Sequence, residues 1–127
     1  VTESVLDASA LIAFLRNEPG ADNVRAILPS ACISAVNLAE TYGKLVQYGK
    51  RLDDTVRLIA RLRLRVVPFD ADQASIAASL WVPTRSAGLS LGDRSCLALA
   101  LHLNAPAVTA ERAWAACELG VRLVMIR

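Results

Sequence analysis

Ser4-Val5-Leu6-Asp7-Ala8-Ser9-Ala10-Leu11 decides the reading of this chain: a short apolar run ends in a carboxylate and gives way at once to helix formers. A strand over Ser4–Asp7 is predicted, then an apolar helix from about Ser9 to Arg16. The alternation repeats along the chain. Glu18-Pro19-Gly20 breaks the chain before a second short helix near Ala21 to Leu28, and Ala31-Cys32-Ile33-Ser34 reads as the second strand. A long helix follows, with Leu38, Tyr42, Leu45 and Val46 at helical spacing, closed by Tyr48-Gly49-Lys50; Asp53 to Leu62 forms another. Leu64 to Phe69 is the third strand, with Pro68 placing its end at an edge or turn. Ile76, Ala77, Leu80 and Trp81 mark a further helix, and Thr84 to Ser90 a loop with Gly88 as its flexible point. Ser95 to Leu103 is apolar nearly all round, as a helix buried on every side must be. Ala107-Val108-Thr109 is the fourth strand, Arg112 to Leu119 a helix ended by Gly120, and Arg122 to Ile126 the last strand.

Strands alternating with helices imply an α/β fold of three layers, α/β/α, around a central, mostly parallel sheet. With no repeat, low-complexity tract or linker, residues 1–127 read as a single domain. Apolar residues make up 54% of the chain and aromatics only 5%, so the core must be built mainly of Ala, Leu, Val and Ile. Cys32, Cys96 and Cys117 form no CxxC pair and sit in apolar surroundings, which suits buried thiols in a reducing compartment. Val1 to Asp7 has neither the basic start nor the apolar run of a signal peptide, and Cys96 to Leu103 is too short to cross a membrane. A soluble, cytoplasmic protein with no membrane partner is expected. The net charge of +2 is too small by itself to argue for nucleic acid. Lys50, Arg51, Arg57, Arg61, Arg63 and Arg65 nevertheless crowd one segment, which reads equally as a solvated face or a phosphate-facing patch.

In a parallel sheet, ligands gather where strands turn into helices at their carboxyl ends. Asp7 stands at such a junction; it suits a ligand or an N-cap, a job Ser9 can share. Asp93, in Ser90-Leu91-Gly92-Asp93, has the spacing of a capping box, yet a carboxylate heading an apolar helix is costly to desolvate without a partner. Glu40 lies opposite the Leu38, Tyr42 and Leu45 stripe, on a face with Val36, Gly43 and Gln47. That stripe fits core packing, or a groove for a partner helix or dimer contact. Glu111 follows the fourth strand, where Thr109 can cap the next turn; Asp70 and Asp72 also follow a strand. Position alone gives an acid-lined rim without settling its membership.

Val5-Leu6-Asp7-Ala8-Ser9-Ala10-Leu11, Ser34-Ala35-Val36-Asn37-Leu38-Ala39-Glu40, Leu91-Gly92-Asp93 and Val108-Thr109-Ala110-Glu111-Arg112-Ala113-Trp114 together resemble the PIN-domain family, and within it the VapC toxins of bacterial toxin–antitoxin pairs. The likeness runs nearly end to end, with the motifs in the family's order. It implies a PIN-like α/β/α fold whose acids bind Mg²⁺ or Mn²⁺ and cleave RNA with a metal-activated water. By position, Asp7, Glu40 and Asp93 match the central acids, metal-binding and catalytic, and Glu111 stands where the family usually carries a fourth, an Asp. Ser9, Asn37 and Thr109 match polar residues that line or support the site. The resemblance also implies a VapB-type antitoxin as partner and a homodimer.

Hard divalent cations prefer oxygen ligands, and clustered carboxylates gain from a cation between them. Such chemistry needs no histidine, and His102, late in its apolar helix, reads as a core or helix-end residue. Arg85, Arg94 and Arg112, close in sequence to the acidic motifs, are expected to meet RNA phosphate. Two phosphate-handling α/β classes fit less well. A receiver domain calls for adjacent acids after the first strand and a late lysine, and a haloacid-dehalogenase phosphohydrolase for Asp where Ser9 stands. The remaining alternative is a catalytically weakened PIN-like module acting mainly through protein or RNA binding.

Overall fold

The computed structural model describes residues 3–127. Val1 and Thr2, part of the stretch read for a signal peptide, lie outside the described residues. Five strands, β1 (Ser4–Leu6), β2 (Ala31–Ser34), β3 (Arg65–Val67), β4 (Ala107–Thr109) and β5 (Leu123–Met125), form one sheet in the order β3-β2-β1-β4-β5. Every pairing is parallel, with Leu6 opposite Ile33 on one side and Val108 on the other.

Side chains alternate across a strand, and the core divides accordingly. Val5, Cys32 and Ala107 face α5 (Ala71–Ser79), α7 (Leu91–Leu103) and the fully buried Trp114. Leu6 and Val108 face α1 (Ala8–Leu15) and α2 (Ala21–Ile27). On that same side, Leu11 and Ile33 pack against Leu45 of α3 (Ala35–Gln47) and Ile59 of α4 (Leu52–Ala60). The result is the three-layer α/β/α arrangement, with α1–α4 on one face and α5 and α7 on the other. Leu38 and Tyr42 pack against this last cluster, so the stripe on α3 is spent on the chain's own core.

Three expectations need correction. The helix through Ile76 and Trp81 is two elements, α5 and a single turn, α6 (Trp81–Thr84). The loop after it contains a 3-10 turn, Arg85–Ala87, which ends on Gly88 at φ 72°, a left-handed conformation that glycine adopts without strain. The expected helix from Arg112 to Leu119 is only a 3-10 turn over Arg112–Ala116, pinned by burial of Trp114 rather than by a periodic apolar face. Cys32 and Cys96 are buried free thiols, and burial pushes Cys32 up to about 12, so it stays protonated; Cys117 is partly exposed. Among the described residues no helix is long and apolar enough to cross a membrane.

β1, β2 and β3 step outward in one direction, and β4 then returns to the other flank of β1. The chain therefore leaves β1 and β4 toward different layers, which opens a crevice beyond their carboxyl ends. Asp7 follows β1, and Thr109 ends β4.

Candidate active site

A pocket of about 590 Å³ fills that crevice, and Asp7, Glu40, Asp93 and Glu111 all line it. Four acids from opposite ends of the chain are thus brought to one opening. Glu18 is a fifth, and only Lys44 and Arg127 offset them.

Asp7 is almost wholly buried, with 2% of its surface exposed. It begins α1 in an extended conformation, but its side chain makes no cap bond. The carboxylate instead accepts from Ser9 Oγ at 2.7 Å and Thr109 Oγ1 at 3.0 Å, both on Oδ2. Each hydroxyl has one proton, so these bonds use both, and the 3.2 Å approach of the two hydroxyl oxygens is a contact without a shared hydrogen. Their lone pairs are filled from behind: Ala110 N–H donates to Ser9 and Glu111 N–H to Thr109. The turn after β4 thereby orients two hydroxyls that orient one carboxylate, and Oδ1 of Asp7 remains open. Burial pushes Asp7 up to about 7, the two hydroxyl bonds pull it down, and Asp93 and Glu40 push it further up.

Glu40 is held by a separate clamp. Asn37, fully buried on α3, donates through Nδ2 to Glu40 Oε1 at 2.8 Å and to the Gly92 carbonyl of α7 at 2.9 Å. Both partners are acceptors, which fixes the orientation of the amide. Asn37 Oδ1 is buried with no partner among the described residues. The Glu40 carboxylate lies where a Cβ on Gly92 would stand, so the missing side chain is what admits it. Burial raises its pKa, opposed by the Asn37 bond and reinforced by Asp93.

Asp93 caps its own helix and also lines the pocket. With Ser90 it closes a reciprocal capping box, Ser90 N–H to Oδ2 at 2.9 Å and Asp93 N–H to Ser90 Oγ at 3.1 Å. The cap uses Oδ2 alone, and the residue still lines the pocket. Capping therefore holds the acid at the pocket with one oxygen to spare. Glu111 is exposed at the pocket's edge, and Asp70 caps α5 elsewhere.

Among the described residues, no three His, Cys, Asp or Glu side chains close into a ready-made metal cage. The donor set still suits a small hard cation: all oxygen, with Asp7 and Asp93 each keeping one oxygen outside their structural bonds. Mg²⁺ is commonly held by one or two carboxylates while keeping several waters.

The PIN domain family profile matches residues 4–118. The chain belongs to the PIN domain family. No curated protein sequence is significantly similar to it. Among solved structures, this PIN domain is similar to a toxin–antitoxin complex from Klebsiella pneumoniae, at 18% identity and TM-score 0.76 over 98% of both chains. It is also similar to VapBC2 from Rickettsia felis bound to a promoter DNA fragment, at 17% identity and TM-score 0.75, covering 97% of this chain and 98% of that one. A third is VapC20 of Mycobacterium tuberculosis, a toxin that cleaves the sarcin–ricin loop, at 16% identity and TM-score 0.70, covering 94% and 98% respectively.

In this PIN domain the basic residues nearest the acids are not the expected ones. Arg112 is exposed at the start of its turn and does not line the pocket. Arg94 follows Asp93 by one residue, a rotation of about 100° around the helix, which turns it toward α5, where Nη1 donates to the Ala77 carbonyl. Arg85 stacks on Trp81. His102 is exposed in the last turn of α7 and plays no part in the pocket. Lys44 and Arg127 are the cations present. Helical spacing could have found Lys44, one turn beyond Glu40. Arg127 and Glu18 gave no local signal, because only the tertiary fold brings them together, at 3.4 Å.

Proposed function

We propose that this PIN domain is a metal-dependent endoribonuclease, the toxin of a VapBC-type pair, using Mg²⁺ or Mn²⁺. The observation that carries the reading is the convergence of Asp7, Glu40, Asp93 and Glu111 on one pocket at the carboxyl ends of β1 and β4. Asp7, Asp93 and Glu40 would hold the cation, directly or through its waters. When bound, the ion supplies Lewis acidity and offsets the charge developing on phosphate oxygens. The chain's own residues do the rest. Ser9 and Thr109 fix the rotamer of Asp7, Asn37 fixes Glu40, and the capping box fixes Asp93. Glu111 stands exposed at the edge of the same pocket. Lys44 meets a phosphate entering between the acids.

The structural relatives that are toxin–antitoxin complexes support a VapB-type antitoxin as partner and a cytoplasmic setting, and a homodimer belongs to the same proposal. The test is calorimetric titration of Mn²⁺ together with cleavage of a structured RNA. Wild type is expected to bind the ion and cleave only in its presence, and the Asp7→Asn/Asp93→Asn variant to do neither. Equal Mn²⁺ binding by both proteins would remove the metal site. RNA binding without cleavage by wild type would instead favour the weakened module. Lys44→Ala is expected to raise KM for RNA by several-fold with a smaller change in kcat, as loss of a phosphate contact should. A fall confined to kcat would place Lys44 in the chemistry instead.

A further inference from the structure

A second groove, of about 480 Å³, lies between the end of α1 and α4, with Leu15 and Leu45 among the residues that line it. Its charge is the reverse of the first pocket's. Arg16, Lys50, Arg51, Arg57 and Arg61 line it, with Asp54 as its only acid. Asp54 is held by Arg57 at 2.6 Å, whereas Lys50, Arg51 and Arg61 have no ion-pair partner among the described residues. Unpaired like charges at close quarters repel one another, so this arrangement favours a polyanion.

The two cavities share a wall. Tyr48, at the end of α3, lines the acidic pocket; Arg16, at the end of α1, lines the basic groove. The Arg16 guanidinium lies 3.6 Å from the centre of the Tyr48 ring. A stacked arginine–aromatic pair is a surface on which a nucleobase can rest, and this one stands between the acidic pocket and the basic groove. Along α4, Arg57 and Arg61 are one turn apart, about 6 Å of rise, suited to following a backbone of repeated phosphates.

We infer that the groove between α1 and α4 binds the phosphodiester backbone of the RNA beside the cleavage point, the strand crossing from the acidic pocket over the Arg16–Tyr48 stack. This rests on the ribonuclease reading. It makes the substrate longer than the acidic pocket alone can hold, and it places its affinity mainly outside the site of reaction. The contacts are to phosphate, so they position the strand without reading its sequence.

The experiment compares wild type, Arg51→Ala/Arg61→Ala and, as a control outside both cavities, Arg25→Ala. Binding of a single-stranded RNA dodecamer is measured at several salt concentrations with chelator present, so that nothing is cut. Loss of two phosphate contacts is expected to flatten the dependence of log K on log salt by about 1.4 and weaken binding roughly 10- to 30-fold at 0.1 M salt. Arg25→Ala is expected to follow wild type. With Mn²⁺, the ratio of kcat/KM for the dodecamer to that for a dinucleotide is expected to fall about tenfold in the double variant. An unchanged salt slope, or an unchanged ratio, overturns the groove as an RNA site. So does unchanged RNA affinity accompanied by lost binding of a polyglutamate peptide, which would assign the groove to an acidic protein partner. If wild type cleaves no RNA at all, the nuclease reading fails, and the salt slope still decides the groove.

Discussion

Asp7→Asn is expected to make the metal-free protein more stable at pH 8 while lowering RNA cleavage at least a thousandfold. The sign follows from the direction of the shift. Burial raises Asp7 to about 7, against 3.8 for the free side chain. Well below pH 4 the carboxyl is neutral in the folded and unfolded chains alike, and its titration costs nothing. Between about pH 4 and pH 7 the unfolded chain has released the proton while the fold retains it, so stability falls as pH rises, by up to ~1.4 kcal/mol per unit. Above 7 the penalty is constant. Asparagine escapes it and can still accept from Ser9 and Thr109 through its amide oxygen. Weaker hydrogen bonds to a neutral acceptor offset part of this at every pH, so a gain of roughly 2–3 kcal/mol is expected at pH 8, on the order of 10 °C in Tm, reversing to a loss of roughly 1–2 kcal/mol near pH 4. Thermal denaturation across that range, in chelator, checks it. Equal Tm values at pH 8 would mean that the buried charge carries no penalty. Saturating Mn²⁺ should narrow the difference by stabilising wild type alone.

This tension between stability and function explains why part of the site was legible in the sequence and part was not. Asp7 was visible because a charged residue directly after Ser4-Val5-Leu6 interrupts an apolar run at a strand's end, where a parallel sheet gathers ligands. Asp93 is visible but ambiguous: a capping box and a site acid have the same spacing, and in the structure one side chain both closes the cap and lines the pocket. Glu40 could not be assigned from its helix alone, since an acid facing away from a core stripe is ordinarily solvated. What makes it part of the site is α7, which reaches Asn37 and Glu40 through Gly92, more than fifty residues away. No local pattern encodes that meeting; the order of the motifs in a family does.

The strands and most helices were legible because their signals are local. Ala31–Ser34 and Ala107–Thr109 fall where the apolar runs put them. The segment after Glu111 was not, because Ala113, Ala115 and Ala116 favour helix while Trp114 needs to enter the core beneath α7. Tertiary packing decided it, leaving a tight 3-10 turn. The cations at the pocket differ from the expected ones for a related reason. Arg94 and Arg112 are neighbours of site acids in sequence, but a helix or turn rotates consecutive side chains apart. Lys44, four residues from Glu40, shares its face instead.

Gly92→Ala is expected to lower metal-dependent cleavage at least tenfold while leaving the free energy of unfolding within about 1 kcal/mol of wild type. The added methyl group would stand on the Glu40 carboxylate. That carboxylate ends a flexible side chain on an exposed residue, so it moves aside rather than forcing α3 from α7. The Asn37–Glu40 bond is lost in the process, and alanine's better helix propensity, up to about 1 kcal/mol in a helix interior and less in a first turn, offsets part of the cost. Asn37 still reaches the Gly92 carbonyl, which involves no side chain, so the contact between the two helices survives. The consequence is an acid in the right residue but the wrong place. A double-mutant cycle with Glu40→Gln distinguishes this from a general disturbance of the pocket. If Gly92→Ala acts through Glu40, the double variant should cleave no more slowly than the worse single variant. Multiplied losses would show instead that the methyl group harms Asp93 or α7 directly. Wild-type cleavage by Gly92→Ala would mean that the clamped position of Glu40 is not the one that matters.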